Sequence, residues 1–206
     1  MPDPQMYESG YDRNRLDRYW TSPWLTEELL KHSLEYVLSP VWEPACGRGD
    51  ISGVLGKAGF KVLNSDIDIS EFNAPGQVAE EIDFLTGVPL FDARSIITNP
   101  PYNTLAPKFV RRALKMMDEL DVQYTAMLMR SEFKSGKTRA DMFGDCPHYA
   151  GELVLTTRPR WDLDDPDRPE DAAPRHNYSW FIWINNWREE NDPMQAFSYM
   201  PKGFKP

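Results

Sequence analysis

The chain has few of the residues that build redox, zinc or disulfide chemistry. Two cysteines, Cys46 and Cys146, occur in 206 residues. They form neither a Cys-x-x-Cys pair nor a metal-ligand spacing, which excludes a disulfide framework and a zinc module. Three scattered histidines, His32, His148 and His176, give no cluster for a general base or a metal, and no metal is expected. Trp180 to Ile184 is the longest apolar run, far short of the ~20 residues of a membrane span, so no membrane partner is expected. The opening Met-Pro-Asp-Pro-Gln has no basic start leading into an apolar stretch, and a secretory leader is not expected. A reducing cytoplasm is the expected location.

Positive charge is also scarce. The net charge is −9, and an acidic protein is repelled by nucleic acid. The distribution changes that conclusion. Residues 1–100 carry 8 basic and 16 acidic side chains, residues 101–140 carry 8 and 4, and residues 141–206 carry 7 and 12. Within the basic middle, Lys108, Arg111, Arg112 and Lys115 are spaced to share one helical face. That face is either an ordinary solvated surface or a stripe that tracks phosphates.

What is present fits one α/β domain over residues 1–206, with an N-terminal arm expected at 1–20 and a long insertion loop at 157–177 rich in Pro, Asp and Arg. Leu25, Leu29, Leu34 and Leu38 follow Thr21, Ser22 and Pro23 at roughly helical spacing. Strands are predicted at Val41 to Glu43, Lys61 to Ser65, Glu81 to Phe84, Ser95 to Thr98 and Tyr124 to Met129, with helices at Asp50 to Ala58 and Pro107 to Met117. Such alternation predicts a mostly parallel sheet with helices on both faces. Two late strands, Leu153 to Thr156 and Ser179 to Ile184, complete it, and Trp180 and Trp183 are expected in the core.

Two stretches carry chemistry. Glu43-Pro44-Ala45-Cys46-Gly47-Arg48-Gly49-Asp50 follows a strand and opens a helix, where glycines let the backbone turn sharply and approach a ligand. Asp66 ends the next strand, placed to accept from both hydroxyls of a ribose. Asp83, beside Phe84, could accept from an adenine amine. Without a third glycine or a Gly-Lys-Ser/Thr run, a dinucleotide or nucleotide triphosphate is disfavoured. A nucleoside lacking a pyrophosphate, such as S-adenosylmethionine, fits better.

The second stretch is Ile96-Ile97-Thr98-Asn99-Pro100-Pro101-Tyr102. Two prolines end an apolar strand, because they cannot donate to a sheet ladder. The lone pair of an aromatic amine is delocalised into its ring, so the nitrogen is a poor nucleophile. The Asn99 side-chain carbonyl and the Pro100 backbone carbonyl can accept from such an amine and aim its lone pair at a methyl donor. The ring face of Tyr102 would stack on the substrate, leaving its hydroxyl dispensable. Trp161, at the mouth of the long loop, is a candidate cover for the same substrate.

In this order, Glu43-Pro-Ala-Cys-Gly-x-Gly49, Asp66, Asp83-Phe84 and Asn99-Pro-Pro-Tyr102 resemble the amino-methyltransferases of DNA, above all the adenine-N6 type. The resemblance covers roughly residues 18–130. Tyr19 to Pro23 resembles that family's N-terminal cofactor segment, with Thr21 the candidate contact. It implies the Rossmann-like class I methyltransferase sheet, seven-stranded with a late antiparallel hairpin. It also implies S-adenosylmethionine as cofactor and base flipping into the site, with DNA more expected than RNA. Sequence-specific members carry a large target-recognition domain, but about 75 residues follow Arg130 here. The likeness is therefore to small, phage-type members. RNA adenine or protein-glutamine methylation, and a non-catalytic cofactor-binding module, are the alternatives. The glutamine enzymes usually begin the first motif with Asp rather than Glu-Pro-Ala-Cys-Gly. A cytosine-C5 mechanism lacks its cysteine after a proline.

Overall fold

The computed structural model describes residues 20–87, 92–102, 104–161 and 176–187. The predicted arm, apart from Trp20, and most of the insertion loop lie outside the described residues. The first helix, α1 (Pro23–Ser33), begins with Pro23 in its first turn, where a missing N–H loses no intrahelical bond. Leu25, Leu29 and Leu30 are its buried stripe. Leu34 and Leu38, expected to continue that stripe, are 53% and 38% exposed. Helix geometry ends at Ser33, whose hydroxyl bonds back to the Leu29 carbonyl. A single 3-10 turn over Leu34–Tyr36 follows, and the chain then extends into Pro40, which restricts the residue before it to non-helical backbone.

Strand β1 (Val41–Glu43), helix α2 (Asp50–Lys57) and strand β2 (Val62–Asp66) follow. Strands β3 (Ala79–Glu81) and β4 (Ser95–Thr98) lead to helix α3 (Ala106–Glu119) and strand β5 (Tyr124–Arg130). Strands β6 (Tyr149–Val154) and β7 (Tyr178–Ile184) complete one seven-stranded sheet ordered β3-β2-β1-β4-β5-β7-β6. Pairings among β3, β2, β1, β4 and β5 are parallel, while β7 runs antiparallel to both β5 and β6. The expected mostly parallel sheet with a late antiparallel hairpin is therefore observed.

Alternation along β5 explains the layers. Ala126 and Leu128 join the core beneath α1 and α2, with Leu25, Ile51, Leu55 and Trp180. Met127 and Met129 join the core beneath α3, with Phe109, Val110, Met117 and Trp183. Buried indoles find acceptors, as their N–H groups require: Trp42 donates to Ser65 Oγ, Trp180 to the Leu25 carbonyl and Trp183 to the Met142 carbonyl. His148 is a satisfied core residue, bonded to Asp118 and to the Asn186 N–H.

Two strands are displaced by more than one residue from expectation. β3 ends at Glu81, before Asp83 and Phe84. The Asp83 carboxylate accepts from the Leu85 N–H and the Thr86 hydroxyl, which turns the chain out of the sheet. β6 starts four residues earlier than Leu153, and its register slips between Tyr149 and Gly151. Such a bulge interrupts the alternation by which a strand is recognised.

Candidate active site

Strand order reverses beside β1: β2 and β3 lie to one side and β4 to the other. In open α/β sheets ligands bind outside the carboxyl ends of the strands at this switch point. A cleft of about 250 Å³ sits there, walled by the loops that follow β1, β2, β3 and β4. Larger hollows of about 600 and 570 Å³ lie elsewhere, one around Pro40 and Arg94, the other around Lys57 and Phe60. Neither contains any of the predicted site residues.

The turn after β1 supplies Pro44, Ala45 and Gly47 to the cleft. Gly47 has φ +47°, and an added Cβ would meet nothing, so its conformation is what favours glycine. Its N–H donates to Asp66 Oδ2 at 2.9 Å, while Asp66 Oδ1 accepts from the Asp68 N–H at 3.2 Å. A carboxylate offers about four acceptor sites, so these bonds orient Asp66 toward the cleft without exhausting it. Asp83 and Phe84 also line the cleft.

Glu43, Cys46 and Gly49, expected to touch a cofactor, are not among the lining residues. They act from behind. Glu43 is 2% exposed and accepts from the Ser52 hydroxyl, tying β1 to α2. Burial pushes its carboxyl well above the usual carboxylate range; hydrogen bonds from Ser52 oppose that shift, and the charges of Asp50 and Asp66 add to it. Burial likewise raises the Cys46 thiol, with Glu43 and Asp66 adding to the shift. At Gly49, φ is +89° and a Cβ would sit 2.8 Å from Ala74 Cβ and 2.9 Å from the Phe72 ring. Close packing of the loop after β2 requires that glycine.

Asn99, Pro100, Pro101 and Tyr102 form the opposite wall. Asn99 Nδ2 donates to Thr21 Oγ1 at 3.1 Å, and the Tyr102 hydroxyl donates to Asn99 Oδ1 at 2.7 Å. The carboxamide is thus held at both ends. Thr21, 5% exposed, serves Asn99 instead of lining the cleft. The Tyr102 hydroxyl, expected to be dispensable, has a partner in the proposed catalytic group. A carbonyl oxygen has two lone pairs, so this bond is compatible with a second one from a substrate amine.

Sequence reasoning missed Trp20, Ile67, Leu85, Leu105 and Phe109, which also line the cleft. Trp20 lies under the Arg48 guanidinium, 4.7 Å from carbon to ring centroid, and Arg48 pairs with Asp50 at 3.1 Å. An aromatic residue immediately before Thr21 was the available signal.

The cationic stripe on α3 has structural partners. Arg111 holds Asp141 through two nitrogens and donates to the Thr138 carbonyl. These bonds draw the Asp141 carboxyl below its usual range. Arg112 donates to the Gly87 carbonyl, and Lys115 lies 3.7 Å from Glu119. Lys108 is exposed. The four residues share a helix as expected, but Arg111 and Arg112 are committed to other parts of the chain, and Lys115 pairs within α3 itself. Trp161 packs 4.9 Å from Tyr178 and 6.5 Å from Tyr102, ring centre to ring centre. It adjoins the site by supporting Tyr102.

No family model and no curated protein matches the chain. Solved structures do share its fold. A candidate RNA methyltransferase from Pyrococcus horikoshii aligns over 87% of this chain and 93% of its own, at 15% identity and TM-score 0.59. A dimethyladenosine transferase from Plasmodium falciparum aligns over 81% and 62%, at 16% identity and TM-score 0.54. An S-adenosylmethionine-dependent O-methyltransferase from Thermotoga maritima aligns over 84% and 69%, at 13% identity and TM-score 0.55. The chain has the Rossmann-like fold of class I methyltransferases.

Proposed function

We propose that the chain is an S-adenosylmethionine-dependent methyltransferase acting on an exocyclic nucleobase amine, with adenine N6 in DNA as the target. The observation that carries this reading is the Asn99 carboxamide, fixed between Thr21 and Tyr102 on the rim of the switch-point cleft.

The cleft suits the cofactor. Its described lining includes the carboxylates of Asp66 and Asp83 and no lysine or arginine. Such a surface repels a pyrophosphate and attracts the cationic sulfonium and ammonium of S-adenosylmethionine. Asp66 would hold the ribose hydroxyls and Asp83 the adenine amine, with Ile67, Phe84 and Leu85 against apolar parts of the cofactor. When bound, S-adenosylmethionine supplies an electrophilic methyl group.

This chain's residues would do the rest by orientation and charge. Asn99 Oδ1 and the Pro100 carbonyl would accept the two N–H bonds of the amine, drawing its lone pair out of conjugation. Those bonds strengthen as the nitrogen gains positive charge while the nitrogen–carbon bond forms and the sulfur–carbon bond breaks. One amine proton then passes to water. No covalent bond to the protein is required.

One structural neighbour carries the name of an RNA methyltransferase and another that of a dimethyladenosine transferase, and the same Asn99 would orient a glutamine carboxamide, so the test includes all three polymers. Tritiated S-adenosylmethionine is incubated with the protein and pools of DNA, RNA and protein, and each pool is hydrolysed and chromatographed. Label in N6-methyladenine from DNA is expected. Label in RNA would keep the chemistry and change the polymer, whereas label in glutamine or in no pool would reject the nucleobase reading.

A further inference from the structure

Tyr102 is common to two linings. One is the acidic cleft; the other is a hollow of about 330 Å³ shared with Ala106, Arg130, Glu132, Phe133 and Arg139. Arg130 ends β5, and the 3-10 segments Ser131–Ser135 and Lys137–Met142 carry the other charged residues. The electrostatics of the two spaces are opposite. The cleft's described lining has carboxylates without cations, whereas the hollow has two arginines and one exposed carboxylate, Glu132.

Arg130 and Arg139 are held differently from Arg111 of α3. The Arg130 Nε–H is buried without a hydrogen-bond partner among the described residues. An unmet buried donor destabilises the fold unless a ligand satisfies it. The Arg139 guanidinium lies 4.2 Å from the Phe133 ring centroid and donates to the Phe133 carbonyl. Those contacts fix its plane and leave other donors of the five it carries. Arg111, by contrast, has its carboxylate in Asp141. A pair of guanidiniums beside a stacking tyrosine matches one chemical group above others, a phosphate attached to a base.

We propose that this hollow binds a backbone phosphate adjoining the target nucleotide of a polynucleotide substrate, with Arg130 as the principal donor and Arg139 as its preoriented companion. The proposal builds on the nucleobase reading above. It gives the described residues a way to grip the strand while the neighbouring base occupies the Tyr102 face.

The test measures anisotropy of a fluorescent oligonucleotide bound to the full chain with S-adenosylhomocysteine present. Arg130→Gln, Arg130→Lys and Arg139→Gln are compared with wild type after thermal melts confirm folding. Arg130→Gln and Arg139→Gln are each expected to weaken binding about tenfold and to make the salt dependence shallower by about one phosphate contact. Arg130→Lys should recover part of the salt slope but not the full affinity, because it keeps the charge and loses the planar fork. In wild type, replacing the phosphate on one side of the target by an uncharged methylphosphonate should reproduce the loss. On that oligonucleotide Arg130→Gln should have no further effect. Unchanged affinity and salt slope in the folded variants, or an undiminished Arg130→Gln effect on both methylphosphonate isomers, would overturn the proposal. Binding that depends on the arginines without methylation of any nucleic acid would leave the hollow standing and reject the nucleobase reading.

Discussion

The two halves of the sheet divide the work unequally. On one side, β3, β2, β1 and β4 are three to five residues long, and every loop leaving their carboxyl ends contributes to the cleft. On the other side, β5 and β7 pair over seven residues each, and nearly all of those residues are buried. None of the cleft lining comes from β6 or β7. Short strands deliver functional loops to one place, and the long hairpin provides the buried area that holds them there. If so, the two halves should fail differently when damaged.

The largest effect is expected in the long half. Trp183 is fully buried and donates to the Met142 carbonyl at 2.7 Å, so Trp183→Ala leaves both a cavity and an unmet acceptor. It should lower unfolding free energy by about 3–5 kcal/mol in urea titration, with cofactor affinity retained by the molecules still folded. A loss below about 1 kcal/mol would break the assignment of stability to this half.

Asn99→Ala should do the reverse. Single-turnover methyl transfer is expected to fall by about 10²–10³, with the melting temperature little changed. If Asn99 only caps β4, the melt would drop and turnover per folded molecule would hold. Tyr102→Phe provides a finer cut. It keeps the ring but removes the 2.7 Å bond to Asn99, so the rate should fall about tenfold, the weight of one hydrogen bond at ~1–1.5 kcal/mol, with substrate affinity nearly unchanged.

The smallest effect concerns the joint behind the glycine turn. The Glu43 carboxyl titrates higher in the folded chain than in the unfolded one because it is buried. Folding therefore takes up a proton. The stability from the neutral carboxyl is complete below the ordinary value of about 4.3 and is lost as pH rises toward the folded value. Glu43→Gln keeps the shape and fixes the neutral state. Its unfolding free energy relative to wild type should grow between about pH 4 and 8, read from urea titrations across that range. A constant difference would show that Glu43 carries the same charge in both states.

Legibility in the sequence varied within both halves. β1 and β4 were readable to the residue because prolines and glycines fence them, and those residues act through backbone geometry alone. Cleft positions after four strands were readable from their order. Phe84 misled because it is apolar for another reason: it packs on Trp42 and Phe109 at 5.1 and 4.8 Å, outside any strand. Helical spacing grouped Lys108 with Arg111, Arg112 and Lys115, but it carries no information about Asp141 or Gly87, which arrive from elsewhere in the chain. The Thr21 bond to Asn99 crosses 78 positions, and Arg130 belongs to no motif. Long-range partners of this kind are set by the fold as a whole.

Strand placement also imposes a timetable on synthesis. β6 leaves the ribosome before β7, yet β7 lies between it and β5. Until Tyr178–Ile184 emerges, a nascent chain would carry an open β5 edge and a β6 without its neighbour. Open edges of this kind invite pairing with other chains, and such late, distant pairing is slow. The interval is a window for chaperone capture or aggregation. Ribosome-bound chains stalled before and after β7 would therefore differ in protease resistance across β5, which links the Tyr102 side of the cleft to the last of the described strands.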